Sequence, residues 1–146
     1  MIIVGLVCIA LAVVLYARQS DRPHGRKDPH ATPIAQQNRV PAHYKEPPAR
    51  SELGPTLAPE RFTGKTREAY RVVREIPQTI AQLPCYCYCD EGHGHKSLYS
   101  CFEDEHAGSC AVCVQEALVA YRMEKEVGLS APQIRERIIA TFGRNN

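Results

Sequence analysis

Six of the seven cysteines and three of the six histidines fall within residues 85–113 of this 146-residue chain. Thiolates and imidazoles are the ligands that soft and borderline metal ions prefer. A CxCxC run, a CxxC pair and neighbouring imidazoles provide more ligands than one tetrahedral zinc ion uses. The spacing therefore predicts a site for two metal ions or a small Cu(I)–thiolate cluster. The candidate ligands are Cys85, Cys87, Cys89, Cys101, Cys110, Cys113, His93, His95 and His106.

The cysteines of the two short motifs are the strongest candidates for metal ligands. Cys110 and Cys113 stand at i and i+3 where a helix is predicted to begin, so their side chains converge, and the helix dipole favours the thiolate form. Cys101 and His95 are expected to complete the ligand set, with His93 and His106 as further candidates. We expect the "CYCYC" segment to be extended, with its three sulfur atoms on one side and both tyrosine rings on the other.

Two other chemistries fit the same cysteines. An even count of six is typical of a disulfide framework in an exported domain, in which the three cysteines of CxCxC would pair with Cys101, Cys110 and Cys113. A redox-active dithiol at Cys110 and Cys113 is the third interpretation, although the alternating strands and helices of a thioredoxin-like fold are not predicted. Val114 follows the CxxC pair, so the pair does not form a haem-attachment motif.

The elements that must position these residues are predicted to be helices. "TREAYRVVREI" has apolar residues at helical spacing and breaks at Ile76–Pro77, and Pro77 can open a second short helix, "PQTIAQL". A third helix is predicted between a Ser109 cap and Gly128, and a fourth between Ser130 and Gly143. The expected fold is mostly α: a small helical domain at residues 65–143 around an extended Cys/His-rich loop, with a short tail at 144–146.

Two segments of different composition precede the predicted domain. Residues 2–17 carry no charge, and a helix of that length is close to the thickness of a bilayer, so residues 1–17 are predicted to be a transmembrane or signal anchor. Cys8 is interpreted as a small apolar residue of this segment. Residues 18–64 contain eight of the eleven prolines and are predicted to be a disordered linker. The basic residues that follow the anchor favour, by themselves, a cytoplasmic location for the remainder of the chain.

Several classes of function do not fit the composition. The net charge is +2, and neither a glycine-rich phosphate loop nor a basic patch with interleaved aromatic residues occurs, so nucleotide and nucleic-acid binding are not expected. No nucleophile, base and orienting group occur together, and we therefore expect no enzymatic activity. The expected partners are the membrane, through residues 2–17, and an envelope protein that exchanges metal with the domain.

The stretch "LPCYCYCDEGHGHKSLYSCF", followed by "HAGSCAVCVQEA", resembles the bacterial membrane-anchored or lipoprotein family named for its PCYCGC motif, whose function is uncharacterised. The resemblance implies a surface-anchored, extracytoplasmic domain, and it implies no activity. Tyr88 stands where the motif has glycine, which would be unfavourable if that position required a positive φ angle. Ligand chemistry and resemblance together predict a membrane-tethered protein of the cell envelope that holds or delivers Cu(I) or Zn(II).

Overall fold

The computed structural model describes residues 39–144. The predicted anchor at residues 1–17, the first part of the predicted linker and the last two residues lie outside this range. No helix within residues 39–144 has the length and the apolar composition needed to cross a membrane.

The described residues form a mostly helical domain, as predicted, and they contain no β-strand. Single turns of 3₁₀-helix at Arg50–Glu52 and Pro59–Arg61 precede the first α-helix, and a longer one at Leu98–Phe102 lies between the third and the fourth. The α-helices are α1 (Gly64–Glu75), α2 (Pro77–Ala81), α3 (Cys89–Gly92), α4 (His106–Ser109), α5 (Ala111–Lys125) and α6 (Ala131–Phe142).

The long helices begin and end close to the predicted positions. α1 ends at Glu75 because Pro77 cannot continue it, and Pro77 occupies the first turn of α2. α6 begins after Ser130, whose backbone N–H donates to Gln133 Oε1 at 2.9 Å in a capping box. The start of α5 differs from the prediction: Cys110, and not Ser109, is its N-cap, since Ser109 closes the separate short helix α4.

The core lies where α1 packs along α5, and α6 also packs against α5. Tyr70 of α1 is fully buried at its centre, stacked on Phe62 with ring centroids 4.0 Å apart and in edge contact with Phe102 at 4.9 Å. The Tyr70 hydroxyl donates to the Asp104 carbonyl oxygen at 2.7 Å. This bond ties α1 to the loop that precedes α4, and so fixes one wall of the cysteine-rich region.

The prediction of an extended CxCxC segment is wrong. The Tyr88 N–H donates to the Cys85 carbonyl at 3.1 Å, which closes a turn, and Cys89 then begins α3. A single extended segment leaves its backbone groups unpaired unless another strand lies beside it, and the described residues provide none. The turn satisfies these groups locally and still brings the sulfur atoms together.

Residues 39–63, assigned from composition to the disordered linker, pack against the helical domain. The Tyr44 N–H donates to the Ala81 carbonyl at 3.1 Å, and the Leu57 N–H donates to the Phe102 carbonyl at 3.0 Å. Pro41 is fully buried, and the Tyr44 and Leu57 side chains contact the core cluster. Proline denies this segment a helix or a strand, but it does not prevent an irregular chain from lying on an apolar surface.

The most specific contact of this segment is an ion pair between Arg39 and Asp90 of α3. Arg39 Nη1 and Nη2 donate to the two Asp90 carboxylate oxygens at 2.7 and 2.9 Å, and the Ala42 N–H donates to Asp90 Oδ2 at 2.9 Å. The hydrogen bonds from Arg39 hold the pKa of Asp90 below its ordinary value. The pair thus fastens the N-terminal segment to the helix that carries Cys89.

We expect Asp90→Asn to lower the free energy of unfolding by about 1 kcal/mol at pH 7, a figure that allows for the solvent exposure of Arg39. Because the pKa of Asp90 is lower in the folded state, the ion pair stabilises the protein above the ordinary carboxyl pKa and loses this effect as the pH falls. Urea unfolding at pH 7 and pH 3 should show a difference between variant and wild type that shrinks at pH 3. Glu91→Gln, at the more exposed second carboxylate beside Arg39, is the control and should cost a few tenths of a kcal/mol. Equal losses of stability in both variants would contradict the conclusion that Asp90 is the main partner of Arg39.

Candidate metal centre

Three cysteines from two parts of the chain meet at the centre of the cluster. The Sγ atoms of Cys85 and Cys87 lie 3.3 Å apart, those of Cys85 and Cys113 lie 3.4 Å apart, and those of Cys87 and Cys113 lie 3.7 Å apart. The turn at residues 85–88 supplies the first two sulfur atoms, and the first turn of α5 supplies the third. The S···S edge of a tetrahedral site with Zn–S bonds of about 2.3 Å is about 3.8 Å, so a small expansion would admit an ion.

A second group of ligands adjoins the first. The Cys89 and Cys101 Sγ atoms lie 3.2 Å apart, and His95 Nδ1 lies 3.3 Å from Cys101 Sγ. His106 Nε2 lies 3.4 Å from Cys87 Sγ and joins the two groups. Cys89 stands at the start of α3, Cys101 lies in the 3₁₀ turn at Leu98–Phe102, and His106 begins α4. The short elements between α2 and α5 therefore each deliver one ligand.

The ligand atoms form three overlapping sets of four, within each of which all atoms lie within 4.8 Å of one another. Cys87 belongs to all three sets, while Cys101, Cys113 and His106 each belong to two. The sets are Cys85, Cys87, Cys101 and Cys113; Cys87, Cys89, Cys101 and His106; and Cys87, Cys110, Cys113 and His106. A thiolate shared in this way can bridge two ions, so the centre has the donor chemistry of a small metal–thiolate cluster.

The structure thus brings together all six predicted cysteines with two of the three histidines. His95 touches Cys101 but belongs to none of the four-ligand sets. His93 is exposed, and its ring lies 4.7 Å from that of His106 and 5.4 Å from that of His95. It stands at the edge of the centre and contacts imidazoles rather than sulfur.

Burial and mutual hydrogen bonding divide the thiols into two kinds. Cys101 and Cys113 are fully buried, whereas Cys87 and Cys110 are partly exposed. Hydrogen bonds from Cys101, and then from Cys110, Cys113 and Cys85, hold the pKa of Cys87 below its ordinary value. This shift favours the thiolate form of Cys87, which is the form that metal ions bind. Burial also lowers the pKa of His95, which keeps a lone pair available for an ion at neutral pH.

The family model of proteins of unknown function with a PCYCGC motif matches residues 7–145. The chain belongs to this PCYCGC family. Comparisons with curated proteins and with solved structures gave no match. The resemblance expected from the sequence is confirmed over nearly the whole chain, and the family description carries no activity.

The position at which this PCYCGC protein departs from its family motif has an unusual backbone conformation. Tyr88 has φ +56° and ψ +32°, in the left-handed region, and no other non-glycine residue among those described has a positive φ. Glycine adopts this conformation without steric cost, which accounts for its place in the motif. The Tyr88 ring packs edge-on against Tyr86, with centroids 6.0 Å apart, and lies under the Arg39 guanidinium at 5.4 Å. The aromatic contacts offset part of the backbone cost.

A residue that the sequence analysis missed, Glu116, lies beside the sulfur cluster. It is fully buried on α5, and its Oε1 accepts a hydrogen bond from the Tyr86 N–H at 3.0 Å, while Oε2 has no hydrogen-bond partner among the described residues. Desolvation raises the pKa of Glu116 to about 8. One signal was present in the sequence: Glu116 stands three residues after Cys113, on the face of the helix that a metal site would bury.

We expect Glu116→Gln to stabilise the metal-free protein increasingly as the pH rises. The pKa of Glu116 is about 8 in the folded state, against 4.5 ordinarily, so ionisation of the unfolded chain destabilises the wild type between these values. Glutamine keeps the acceptor for the Tyr86 N–H and does not titrate. In guanidinium unfolding of reduced, metal-free protein, the free energy of unfolding of Glu116→Gln should exceed that of the wild type by an amount that grows by on the order of 2–4 kcal/mol between pH 5 and pH 9.

The exposed Glu126, at the end of α5, provides the control for this experiment. Glu126→Gln should leave the pH dependence of stability as in the wild type. A difference between Glu116→Gln and wild type that stays constant across the pH range would contradict a carboxyl group that is neutral in the folded state.

Proposed function

We propose that this PCYCGC-family protein binds soft metal ions at the Cys/His centre, Cu(I) in first place and Zn(II) in second, and holds or delivers them without catalysing a reaction. The observation that carries the proposal is the set of three overlapping four-ligand groups that share Cys87. Six thiols within one contiguous cluster exceed what a purely structural zinc site uses. Buried thiols in contact with imidazoles match the preference of Cu(I) and zinc among the first-row metals.

The preference for Cu(I) follows from the sharing of ligands. A tetrahedral zinc site takes four ligands of its own, whereas low-coordinate Cu(I) ions can share bridging thiolates in a compact cluster. The low exposure of Cys85, Cys89, Cys101 and Cys113 also favours a reduced ion, because oxidants and water reach these sulfur atoms poorly. Two zinc ions bridged by Cys87 remain compatible with the same ligands.

The proposal includes a location at the cell envelope. Residues 2–17 would tether the domain to the membrane, and the PCYCGC family resemblance favours an extracytoplasmic domain. In this position the centre would receive ions from, or pass them to, another envelope protein. Protease digestion of intact cells tests the orientation: cleavage of the domain without lysis is expected, and full protection would contradict it.

Elemental analysis with a parallel thiol count tests the metal centre. The full chain is purified in detergent without chelators, under reducing and under oxidising conditions. We expect copper or zinc at one ion or more per chain, and six thiols that react with a thiol reagent only after the metal is removed, in addition to Cys8. A chain without stoichiometric metal and with all seven thiols freely reactive would contradict the proposal.

A disulfide-stabilised interaction module is the second candidate. All six clustered cysteines are free thiols in the structure, but the Cys89 and Cys101 Sγ atoms lie 3.2 Å apart, which leaves only a short movement before a bond could form. Under this alternative the purified chain would contain no metal and no reactive thiol other than that of Cys8, and its mass would be lower by six hydrogen atoms. The same purification therefore decides between the two functions.

A further inference from the structure

Two openings to solvent border the metal centre. One opening, of about 310 Å³, is lined by His93 and His95 together with Asp104 and contains no cysteine. The other is a groove of about 900 Å³ between the first turn of α1 and α5, and Cys110 is the one member of the cysteine cluster that lines it. A thiol that lies in this groove therefore meets Cys110 as its sulfur ligand of the centre.

The overlapping ligand sets connect the buried part of the centre to Cys110. Two of the three sets contain His106, whose Nε2 can hold only one ion at a time, so these two sets are alternative positions for a single ion. An ion that moves between them keeps Cys87 and His106 and exchanges Cys89 and Cys101 for Cys110 and Cys113. After this exchange the ion is bound to Cys110, which lines the groove. Because Cys87 and His106 stay bound throughout, the ion keeps at least two ligands at every step.

The groove has the shape and polarity of a site for a short peptide. Val114 and Leu118 give it an apolar wall, and its volume lies in the range that accommodates a small organic ligand. Its charged lining residues are Lys65, Glu68, Arg122 and Glu126. Neither of the two cations has an ion-pair partner among the residues described. Two such cations suit the carboxylates of a small peptide.

We propose, resting on the metal-binding function above, that the bound ion leaves the centre through Cys110 by exchange with a free, thiol-bearing peptide of the glutathione class that lies in this groove. The sulfur of the acceptor binds the ion as a further ligand, and the bond between the ion and Cys110 Sγ then breaks. The proton of the incoming thiol passes to Cys110 or to water, and the oxidation state of the ion does not change. Breaking of the remaining bonds to Cys113, Cys87 and His106 completes the transfer.

The rate of copper release to glutathione tests this route. The full chain is loaded anaerobically with Cu(I), and transfer is followed by a coloured Cu(I) chelator in the presence of glutathione. We expect glutathione to accelerate release from the wild type, and Cys110→Ser to reduce this acceleration at least tenfold while the protein still binds copper. Arg122→Glu, which leaves every ligand in place, should slow release to glutathione about tenfold but leave release to uncharged 2-mercaptoethanol unchanged.

Lys96→Glu, which makes the same change of charge at an exposed residue of the other opening, is the matched control and should release copper at the wild-type rate. Release from Cys110→Ser at the wild-type rate, an equal loss in Lys96→Glu, or an Arg122→Glu effect of the same size with both thiols would each overturn the route through the groove. A wild-type chain that binds no copper would instead overturn the metal-binding function itself, so the two failures are distinguishable.

Discussion

Cys87→Ser is expected to weaken metal binding by about 100- to 1,000-fold and to lower the number of ions bound. Structural zinc sites contribute about 10–16 kcal/mol through four ligands, or about 2.5–4 kcal/mol for each ligand. Cys87 belongs to all three four-ligand sets, so its loss leaves no set complete. Competition with a Cu(I) chelator of known affinity, together with elemental analysis, measures both quantities.

Cys110→Ser is the matched comparison, because it removes a thiol of similar exposure from only one of the three sets. We expect it to leave the set of Cys85, Cys87, Cys101 and Cys113 intact and to bind at least one ion with nearly wild-type affinity. If both variants lost metal to the same degree, Cys87 would not be a shared ligand, and separate sites would describe the centre better.

Removal of the metal is expected to lower the melting temperature by about 15 °C or more. A ligand present at 1,000 times its dissociation constant stabilises the native state by about 4.1 kcal/mol, and each kcal/mol shifts the melting temperature of a domain of about 100 residues by several degrees. The ligands come from segments that regular secondary structure does not otherwise connect, so an ion would join them directly. Calorimetry of the loaded protein, with and without a strong chelator, measures the shift.

Reducing agents separate this result from the effect of disulfides. If an ion provides the cross-link, a chelator lowers the melting temperature and a non-chelating phosphine reductant leaves it unchanged. The reverse pattern would support the disulfide-stabilised module. Cys87→Ser supplies an internal control, since its melting temperature should respond little to the chelator.

The sequence predicted the long helices and the membership of the cysteine cluster, for different physical reasons. The helices follow from two local signals. Apolar residues recur at helical spacing, and Pro77 and Pro132 stand in the first turns of α2 and α6. The cluster follows from ligand chemistry, which does not depend on the fold. The conformation of residues 85–89 could not be predicted in this way, because the turn depends on where α5 places Cys113 and Glu116.

The packing of residues 39–63 was missed for a related reason. Proline content indicates what an isolated segment cannot form, but it does not indicate which surface is available to cover. Tyr44 and Leu57 are held by backbone groups of Ala81 and Phe102, which are far away in sequence. Glu116 was missed because a glutamate in an amphipathic helix usually faces solvent, and its burial becomes apparent only when the turn at Tyr86 lies against it.

The left-handed conformation of Tyr88 affects the order in which the parts of the domain unfold. A non-glycine residue in this region costs about 1–2 kcal/mol, and the buried Tyr88 hydroxyl adds to this cost because it has no hydrogen-bond partner among the described residues. Both costs disappear if residues 86–90 open while α1 and α5 stay packed. We therefore expect the loop that carries Cys87 to open more readily than α1 and α5 in the empty domain, so that hydrogen exchange of its amides proceeds by sub-global opening. Binding and release of a metal ion would require only this loop to open, while the surrounding helices stay folded.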